Sequence, residues 1–300
     1  MENSLQKAIL KTLVYADIFD YPLNFQETCQ FLITPRKTRP VLVNQVLGQL
    51  DAGLIGQKQG FYFLKDREKI VNLRKRRQKW SQEKMKIAQR LVGRLKLIPW
   101  LRMIGLSGTL AMENSDANDD IDFLIIASSG RLWLTRFFLI LLLELFGTRR
   151  KPGQLGAKNK ICPNIFLDEE TLEIPKNQRN LFTAHEICQI KVLWEKKGMF
   201  EKFLNENCWV ENFLANAVPD WELSVRNQKP KAKNHFLFFW EKIGLIPEKI
   251  AYGLQIWYMR KRKTREKVGF HQAFFHPRDL SEWVLEKYQK KCRELLISIN

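Results

Sequence analysis

The chain has 300 residues, of which 45% are apolar and 12% aromatic, with only 15 glycines and 11 prolines. This composition is typical of a globular protein of two or three domains and excludes a disordered or collagen-like chain. Fifty basic residues against 32 acidic residues give a net charge of +18. The excess favours an anionic partner, which could be nucleic acid, a nucleotide or an anionic membrane.

The cysteines and the N-terminus together indicate the cellular compartment. Five widely spaced cysteines without a CxxC pair argue against a disulfide framework and against a zinc knuckle. The first ten residues lack the basic-then-apolar order of a signal peptide, so we expect a cytoplasmic protein. The apolar run 132–146 is shorter than the ~20 residues of a membrane span and contains Arg136 and Glu144. A buried helix is therefore the favoured interpretation, and membrane contact is the alternative.

Residues 1–65 are predicted to form three helices and a hairpin. Apolar positions recur at helical spacing near the N-terminus, Asn24 is placed to cap a second helix, and Pro40 suits the first turn of a third. A polar turn over 56–60 between apolar runs predicts the hairpin. This order resembles a winged helix, which implies a domain that binds DNA through its third helix or one that mediates protein contacts. Both interpretations stay open.

Residues 66–99 are predicted to form a basic linker helix. Between residues 65 and 102, fourteen Lys and Arg stand against three acidic residues. The charge fits a solvated helix that packs its apolar side on a neighbour, and it also fits an electrostatic track for a phosphate backbone. A second basic cluster at 260–265 follows the aromatic-rich stretch 235–259. It suggests a binder of single-stranded nucleic acid, an interfacial membrane helix or a helical cap.

The stretch 103–127 contains the residues that indicate chemistry. A short apolar strand leads to Ser107, Gly108 and Thr109, and a second strand contains Asp120 and Asp122. The period of two places both carboxylates on one face of the strand, where a pair of like charges needs a cation. Oxygen ligands of this kind suit Mg²⁺, and a glycine-containing turn can approach phosphates closely. We therefore predict that Asp120 and Asp122 bind the metal and that residues 107–109 bind the nucleotide.

This motif resembles the signature of the DNA polymerase β-type nucleotidyltransferase superfamily, which is Gly-Ser, about ten residues and Asp-x-Asp. Here Gly108-Thr109 takes the Gly-Ser place and ten residues precede Asp120. The resemblance implies an α+β fold, with a nucleotidyltransferase domain of mixed sheet and helices over 100–217 and a helical C-terminal region over 218–300. It also implies a Mg²⁺- or Mn²⁺-dependent transfer of a nucleoside monophosphate from an NTP to a hydroxyl. The expected acceptor is RNA or another macromolecule, and the expected nucleic-acid partner is RNA or DNA.

The third carboxylate of that superfamily is not evident in this sequence. The strand predicted over 160–167 places Asn164 at the inward position where the resemblance implies Asp. Asp168 is then the predicted third catalytic carboxylate, with Glu186 from the next helix as the alternative. A further alternative is a weak or inactive enzyme that acts as a nucleic-acid-binding or regulatory protein.

Overall fold

The structure is a computed structural model that describes residues 2–50, 53–151, 154, 157–219, 245–260, 267–275 and 280–295. It is a mixed α/β fold with two sheets. The helices are α1 (Glu2–Asp17), α2 (Phe25–Gln30), α3 (Pro40–Gln49), α4 (Lys69–Leu95), α5 (Gly108–Ala111), α6 (Leu132–Leu145), α7 (Leu181–Cys188), α8 (Met199–Glu206), α9 (Glu211–Leu214), α10 (Leu245–Met259) and α11 (Leu280–Glu294). The strands are β1 (Leu23–Asn24), β2 (Ile55–Lys58), β3 (Phe61–Leu64), β4 (Leu101–Leu106), β5 (Ile121–Ala127), β6 (Ile161–Asp168), β7 (Lys191–Glu195), β8 (Lys267–Val268) and β9 (Gln272–Phe274).

The N-terminal elements follow the predicted order of three helices and a hairpin. The Asn24 side chain accepts a hydrogen bond from the backbone of Glu27, whose carboxylate accepts one from the backbone of Asn24. This reciprocal capping box satisfies backbone donors that α2 would otherwise leave unpaired. Pro40 begins α3 as predicted, and β2, β3 and β1 form a small antiparallel sheet.

The central sheet has the strand order β7-β4-β5-β6-β9-β8. Only the β5–β6 pair is parallel, so the sheet is mixed as expected. Alternate residues of β5 face opposite sides, since Leu124 and Ile126 pack with the N-terminal helices while Phe123 and Ile125 pack with α6. Asp122 shares the parity of Leu124 and therefore lies on the side of the N-terminal helices.

Helix α6 covers the other face of the sheet. It is not the buried helix predicted for the apolar run, because Phe137, Leu141 and Leu145 on its outer side are exposed. Its charged Arg136 is buried, with the guanidinium 4.4 Å from the centre of the Phe275 ring. Glu248 on α10 accepts hydrogen bonds from the backbone N–H groups of Trp133 (2.6 Å) and Leu134 (3.0 Å) at the start of α6. Across the described residues, we find no helix with the length and apolar character needed to cross a membrane.

The C-terminal region is not purely helical, which corrects the prediction for 218–300. Strands β8 and β9 add an antiparallel hairpin to the edge of β6, while α11 packs on α1 and α7. Apart from the two-residue β8, the pairing partner of β9 is β6, which lies far away in sequence, so the three residues of β9 carry little local strand signal. Residues 261–265 of the predicted basic cluster lie outside the described residues, as do residues 235–244 of the aromatic stretch.

Candidate active site

The turn after β4 brings its backbone against a carboxylate of β5. Gly108 has φ of +63°, and a Cβ atom at this position would lie 2.9 Å from Oδ2 of Asp122. Both observations favour glycine, because side chains rarely adopt this backbone region and an added Cβ would force the Asp122 carboxylate to shift. The backbone N–H of Ser107 donates to the carbonyl of Asp122 at 3.1 Å and holds the two segments together. The predicted nucleotide-binding residues 107–109 therefore lie beside the predicted metal ligand.

Asp120 lies immediately before β5 and forms an ion pair with Arg150. Nη1 of Arg150 is 2.6 Å from Oδ2 of Asp120, and both side chains are partly exposed. The loop before Asp120 is held from α4, where the buried Lys84 donates to the carbonyl of Asp119 at 2.6 Å and to Oδ1 of Asn159 at 3.0 Å. A buried ammonium fixed by backbone oxygens gives the loop one defined position. Asp120 is thus anchored on one side by the loop and neutralised on the other by Arg150.

The electrostatic environment of Asp122 favours an added cation. The pKa of Asp122 is raised to about 8, chiefly by burial and then by the charges of Asp120 and Glu186, while Arg150 acts in the opposite direction. The proton stabilises a carboxylate that is removed from water and near other negative charges. A metal ion or another cation at this position would have the same effect, because it would offset the same repulsion.

The donor atoms around Asp122 fit a hard divalent cation. Ligand atoms of Asp120, Asp122 and Cys162 lie within 4.8 Å of one another. Cys162 does not suit Mg²⁺, because thiolates prefer softer metals and burial raises the pKa of this thiol far above its usual range. The two carboxylates do suit it, since Mg²⁺ takes one or two protein carboxylates and completes its shell with water and phosphate oxygens.

Asn164 occupies the position where the third carboxylate was expected. It is the extra residue of a β-bulge in β6, opposite the step from Phe123 to Leu124. Its Nδ2 donates to Oδ1 of Asp122 at 2.9 Å, while its Oδ1 is buried and has no hydrogen-bond partner. Bulges redirect a side chain near functional sites. A half-turn of this carboxamide would place an amide oxygen, which is a possible metal ligand, against Asp122.

Asp168 is not brought to the carboxylate pair, which corrects its prediction as the third catalytic group. It pairs with Ala127 at the far end of β5, whereas Asp122 pairs with Cys162. Five residues of strand correspond to about 17 Å at roughly 3.3 Å per residue. Asp168 is instead structural, because it accepts from the backbone N–H of Gly130 at 2.8 Å and lies 3.2 Å from Nδ1 of His271.

A cavity of about 400 Å³ opens beside the site, between the sheet, α1 and α7. The polar end of the cavity contains Ser107, Gly108, Asp122 and Asn164, and most of the remaining wall is apolar. Helix α1 contributes Tyr15, whose ring stacks on His185 of α7 with centroids 3.9 Å apart. Sequence reasoning found the polar end but not the cavity, because the wall comes from elements far apart in the chain.

The basic helix α4 divides its charges between two faces. Arg74 and Lys84 are buried, and Nη2 of Arg74 lies 2.7 Å from Oε1 of Glu27 on α2. Arg77 donates to the backbone carbonyl of Phe19 at 3.1 Å. These three cations hold elements together and are not available to a phosphate backbone. The exposed basic residues of the helix are Lys69, Lys75, Arg76, Lys79, Lys86, Arg90 and Arg94.

Comparison with known proteins identifies no family for this chain. No protein-family model matches it, and a search of curated proteins finds no match.

Proposed function

We propose that the protein is a Mg²⁺-dependent nucleotidyltransferase that transfers a nucleoside monophosphate from an NTP to an acceptor hydroxyl. The observation that carries the proposal is the contact between the Gly108 turn and Asp122. The backbone of Gly108 lies against the carboxylate of Asp122, which is next to that of Asp120, and both Gly108 and Asp122 line the cavity. Asp120 and Asp122 would hold a divalent cation there, and such a cation would neutralise the charge of bound phosphates.

Several residues near the turn could contact the phosphates of a nucleotide. Ser107 has a buried hydroxyl without a hydrogen-bond partner, and Thr109 is exposed at the start of the turn. We infer that both hydroxyls bind phosphate oxygens together with the backbone of Gly108, and that Thr109 then gives up its present contact of 3.3 Å with Oδ2 of Asp119. Arg150 neutralises Asp120 in the ligand-free protein, and its guanidinium can bind a phosphate once Asp120 holds a metal ion.

Asp120 and Asp122 would hold the metal, and Asn164 would supply a neutral third oxygen. When bound, Mg²⁺ neutralises charge on the phosphates and on the leaving pyrophosphate. The asparagine makes the site less negative than a site with three carboxylates. A nucleotide that carries its own Mg²⁺ would bind more readily than the free ion, because Mg²⁺ gives up its water reluctantly. The arrangement also supports the resemblance to polymerase β-type nucleotidyltransferases, which stays a proposal.

The exposed basic face of α4 and the winged-helix-like order of residues 1–65 support nucleic acid as a partner. Exposed cations also flank α3, at Arg36, Lys37 and Arg39. The outward face of α3 itself is neutral, with Val41 68% exposed. That face suits a protein contact better than a DNA groove, so we assign the phosphate contacts to α4.

The direct test is transfer of label from an NTP. Purified full-length protein with Mg²⁺ or Mn²⁺ and each α-³²P-labelled NTP should release pyrophosphate and label an acceptor in total RNA. Asp120→Asn should abolish transfer and weaken metal-dependent NTP binding, while circular dichroism shows an unchanged fold. Glu206→Gln, which changes an exposed carboxylate on α8, is the matched control and should behave like the wild type. Retained transfer in Asp120→Asn would contradict the site assignment.

A second candidate function is a nucleotide-binding regulatory protein without turnover. Two observations favour it, because Asn164 replaces the third carboxylate and Arg150 already pairs with Asp120. Equilibrium binding separates the candidates. Metal-dependent NTP binding without pyrophosphate release by the wild type would favour the regulatory protein, whereas release that depends on Asp120 would favour the enzyme.

A further inference from the structure

A carboxylate on α7 faces the cavity that contains the site. Glu186 lines the same cavity as Asp122, and it is close enough that its charge raises the pKa of Asp122. Within the described part of the chain, the side chain of Glu186 makes no hydrogen bond or ion pair. The side chain of Glu186 is partly buried. A carboxylate partly removed from water without a partner is costly to the fold, so its position needs an explanation.

The groups around Glu186 do not neutralise it. Its neighbour His185 stacks on Tyr15, and burial lowers the pKa of this histidine to about 3, so the ring is neutral near pH 7. Tyr15 on α1 is also neutral, because burial and then the charge of Glu186 raise its pKa well above the usual range. Asp122 on β5 carries the same sign of charge as Glu186. The surroundings therefore favour a Glu186 that can accept a proton.

We propose that Glu186 is the general base for the acceptor hydroxyl, and that this hydroxyl enters the cavity between α1 and α7. This inference rests on the proposed function. Glu186 takes over the proton-accepting role for which β6 offers only Asn164, since an amide cannot accept the proton. It comes from a helix rather than from the sheet, and it lines the same cavity as Asn164.

The proposed step conserves atoms and charge. The acceptor O–H gives its proton to a carboxylate oxygen of Glu186, and the acceptor oxygen forms a bond to the α-phosphorus of the NTP. The bond from the α-phosphorus to the oxygen that bridges to the β-phosphate breaks, and its electron pair leaves on pyrophosphate. Glu186 then releases the proton to water. Burial raises the pKa of Glu186 to about 7, which matches a base that works near neutral pH.

The volume of the cavity also limits the size of the acceptor group that can enter it. A volume of about 400 Å³ is at the small end of ligand pockets and must admit both the α-phosphate region and the hydroxyl. Aromatic side chains from the N-terminal helices, including Tyr15, Phe19 and Phe31, form much of its wall. The part of the acceptor that enters the cavity is therefore small, such as a single terminal ring that carries the hydroxyl.

The test compares Glu186→Gln with the wild type in full-length protein, with water and glycerol as probe acceptors. The readouts are pyrophosphate release and NMP or glycerol-NMP formation. A positioned base contributes about 10²–10⁴-fold. We expect kcat to fall by at least about 100-fold, while the Kd for Mn²⁺–NTP stays within twofold. Glu206→Gln on α8 is the control and should leave kcat unchanged.

A second variant separates a base from a structural role. Glu186→Ala leaves space beside the hydroxyl, so added formate should restore part of its kcat, and it should not restore that of Asp120→Asn. Wild-type kcat in Glu186→Gln would overturn the inference and leave the proposed function intact, as would loss of kcat in Glu186→Ala without formate rescue. No transfer by the wild type with any acceptor would overturn the proposed function and this inference with it.

Discussion

The charge on Asp122 controls how the stability of the ligand-free protein changes with pH. Its pKa is about 8 in the folded state against 3.8 for the free group, because burial and the nearby charges disfavour ionisation. Between these values the folded state holds a proton that the unfolded state has lost. The contribution of Asp122 to the free energy of unfolding is therefore fully present below about pH 4 and is lost as the pH rises towards 8.

Asp122→Asn should stabilise the metal-free protein, and more so at high pH. The amide keeps Oδ1 as the acceptor for Asn164 and removes the buried charge. In EDTA we expect Tm to rise at pH 8 by at least about 2–4 °C, which corresponds to about 1 kcal/mol, and by less at pH 5. Thermal denaturation at both pH values measures this. The same Tm change at pH 5 and pH 8 would show that Asp122 does not titrate as described, and Glu206→Gln should change neither value.

Gly108 is the residue that lets phosphate-binding backbone approach the carboxylates. Gly108→Ala should lower the free energy of unfolding by at least about 1–2 kcal/mol, the cost of a left-handed conformation for a residue with a Cβ. It should also remove NTP binding, because the new methyl group meets Oδ2 of Asp122. Urea denaturation and titration with a fluorescent NTP measure the two effects.

The matched control for Gly108→Ala is Gly48→Ala on α3. Gly48 has no atom within 4 Å of an added Cβ, and alanine favours the helix there. It should leave NTP binding unchanged and stabilise the protein slightly. Normal NTP affinity in Gly108→Ala would contradict the role given to this turn.

At the scale of elements, some basic residues of α4 bind neighbouring parts of the fold and others are exposed to solvent. The sequence pattern could not separate these two groups. The count of basic residues predicted a charged helix, and α4 does form. The pattern did not indicate that Arg74 would lie 3.7 Å from the centre of the Tyr21 ring or that Lys84 would hold the loop before Asp120. Such partners are chosen by packing over long sequence distances. Charge counts therefore overstate the cations available to nucleic acid.

If the exposed face of α4 binds nucleic acid, the double variant Lys75→Gln/Lys79→Gln should reduce the salt dependence. The slope of log K against log salt should flatten by about 0.7–0.9 for each lost phosphate contact. Fluorescence anisotropy with labelled RNA between 50 mM and 200 mM salt measures the slope. Lys287→Gln/Lys290→Gln on α11 removes the same charge from exposed positions and should leave the slope unchanged. Equal slopes in the two variants would contradict a specific role of α4.

Local signals predicted the elements well, and long-range partners explain most of what the sequence missed. Patterns within a few residues predicted the helix cap at Asn24, the start of α3 at Pro40 and the strand that contains Asp122. The structure confirms all three. Asn164 also lies beside Asp122 as expected. The sequence did not indicate that Arg150 would pair with Asp120. Several basic residues lie nearby in the chain, and Arg150 reaches Asp120 because its neighbour Arg149 pairs with Ile161 of β6.

At the scale of the whole molecule, the N-terminal helices and the central sheet share one hydrophobic core. The predicted boundaries at 65 and 99 lie near the ends of α4, yet Leu13 of α1 and Leu124 of β5 belong to the same buried cluster. An ion pair between Lys291 on α11 and Asp17 on α1 adds a further link. Helix α1 also forms a wall of the cavity, so folding of the N-terminal segment and formation of the site are coupled.

A shared core predicts one cooperative unfolding transition. Leu13→Ala and Leu124→Ala each remove a buried side chain, 2% and 3% exposed, one on each side of the predicted boundary. Each should cost about 2–5 kcal/mol. Because both contribute to one core, both should shift the same calorimetric transition, with equal calorimetric and van't Hoff enthalpies. Two transitions, of which Leu13→Ala moves only one and Leu124→Ala only the other, would show that residues 1–65 fold independently. In that case α1 could leave the cavity without unfolding the sheet.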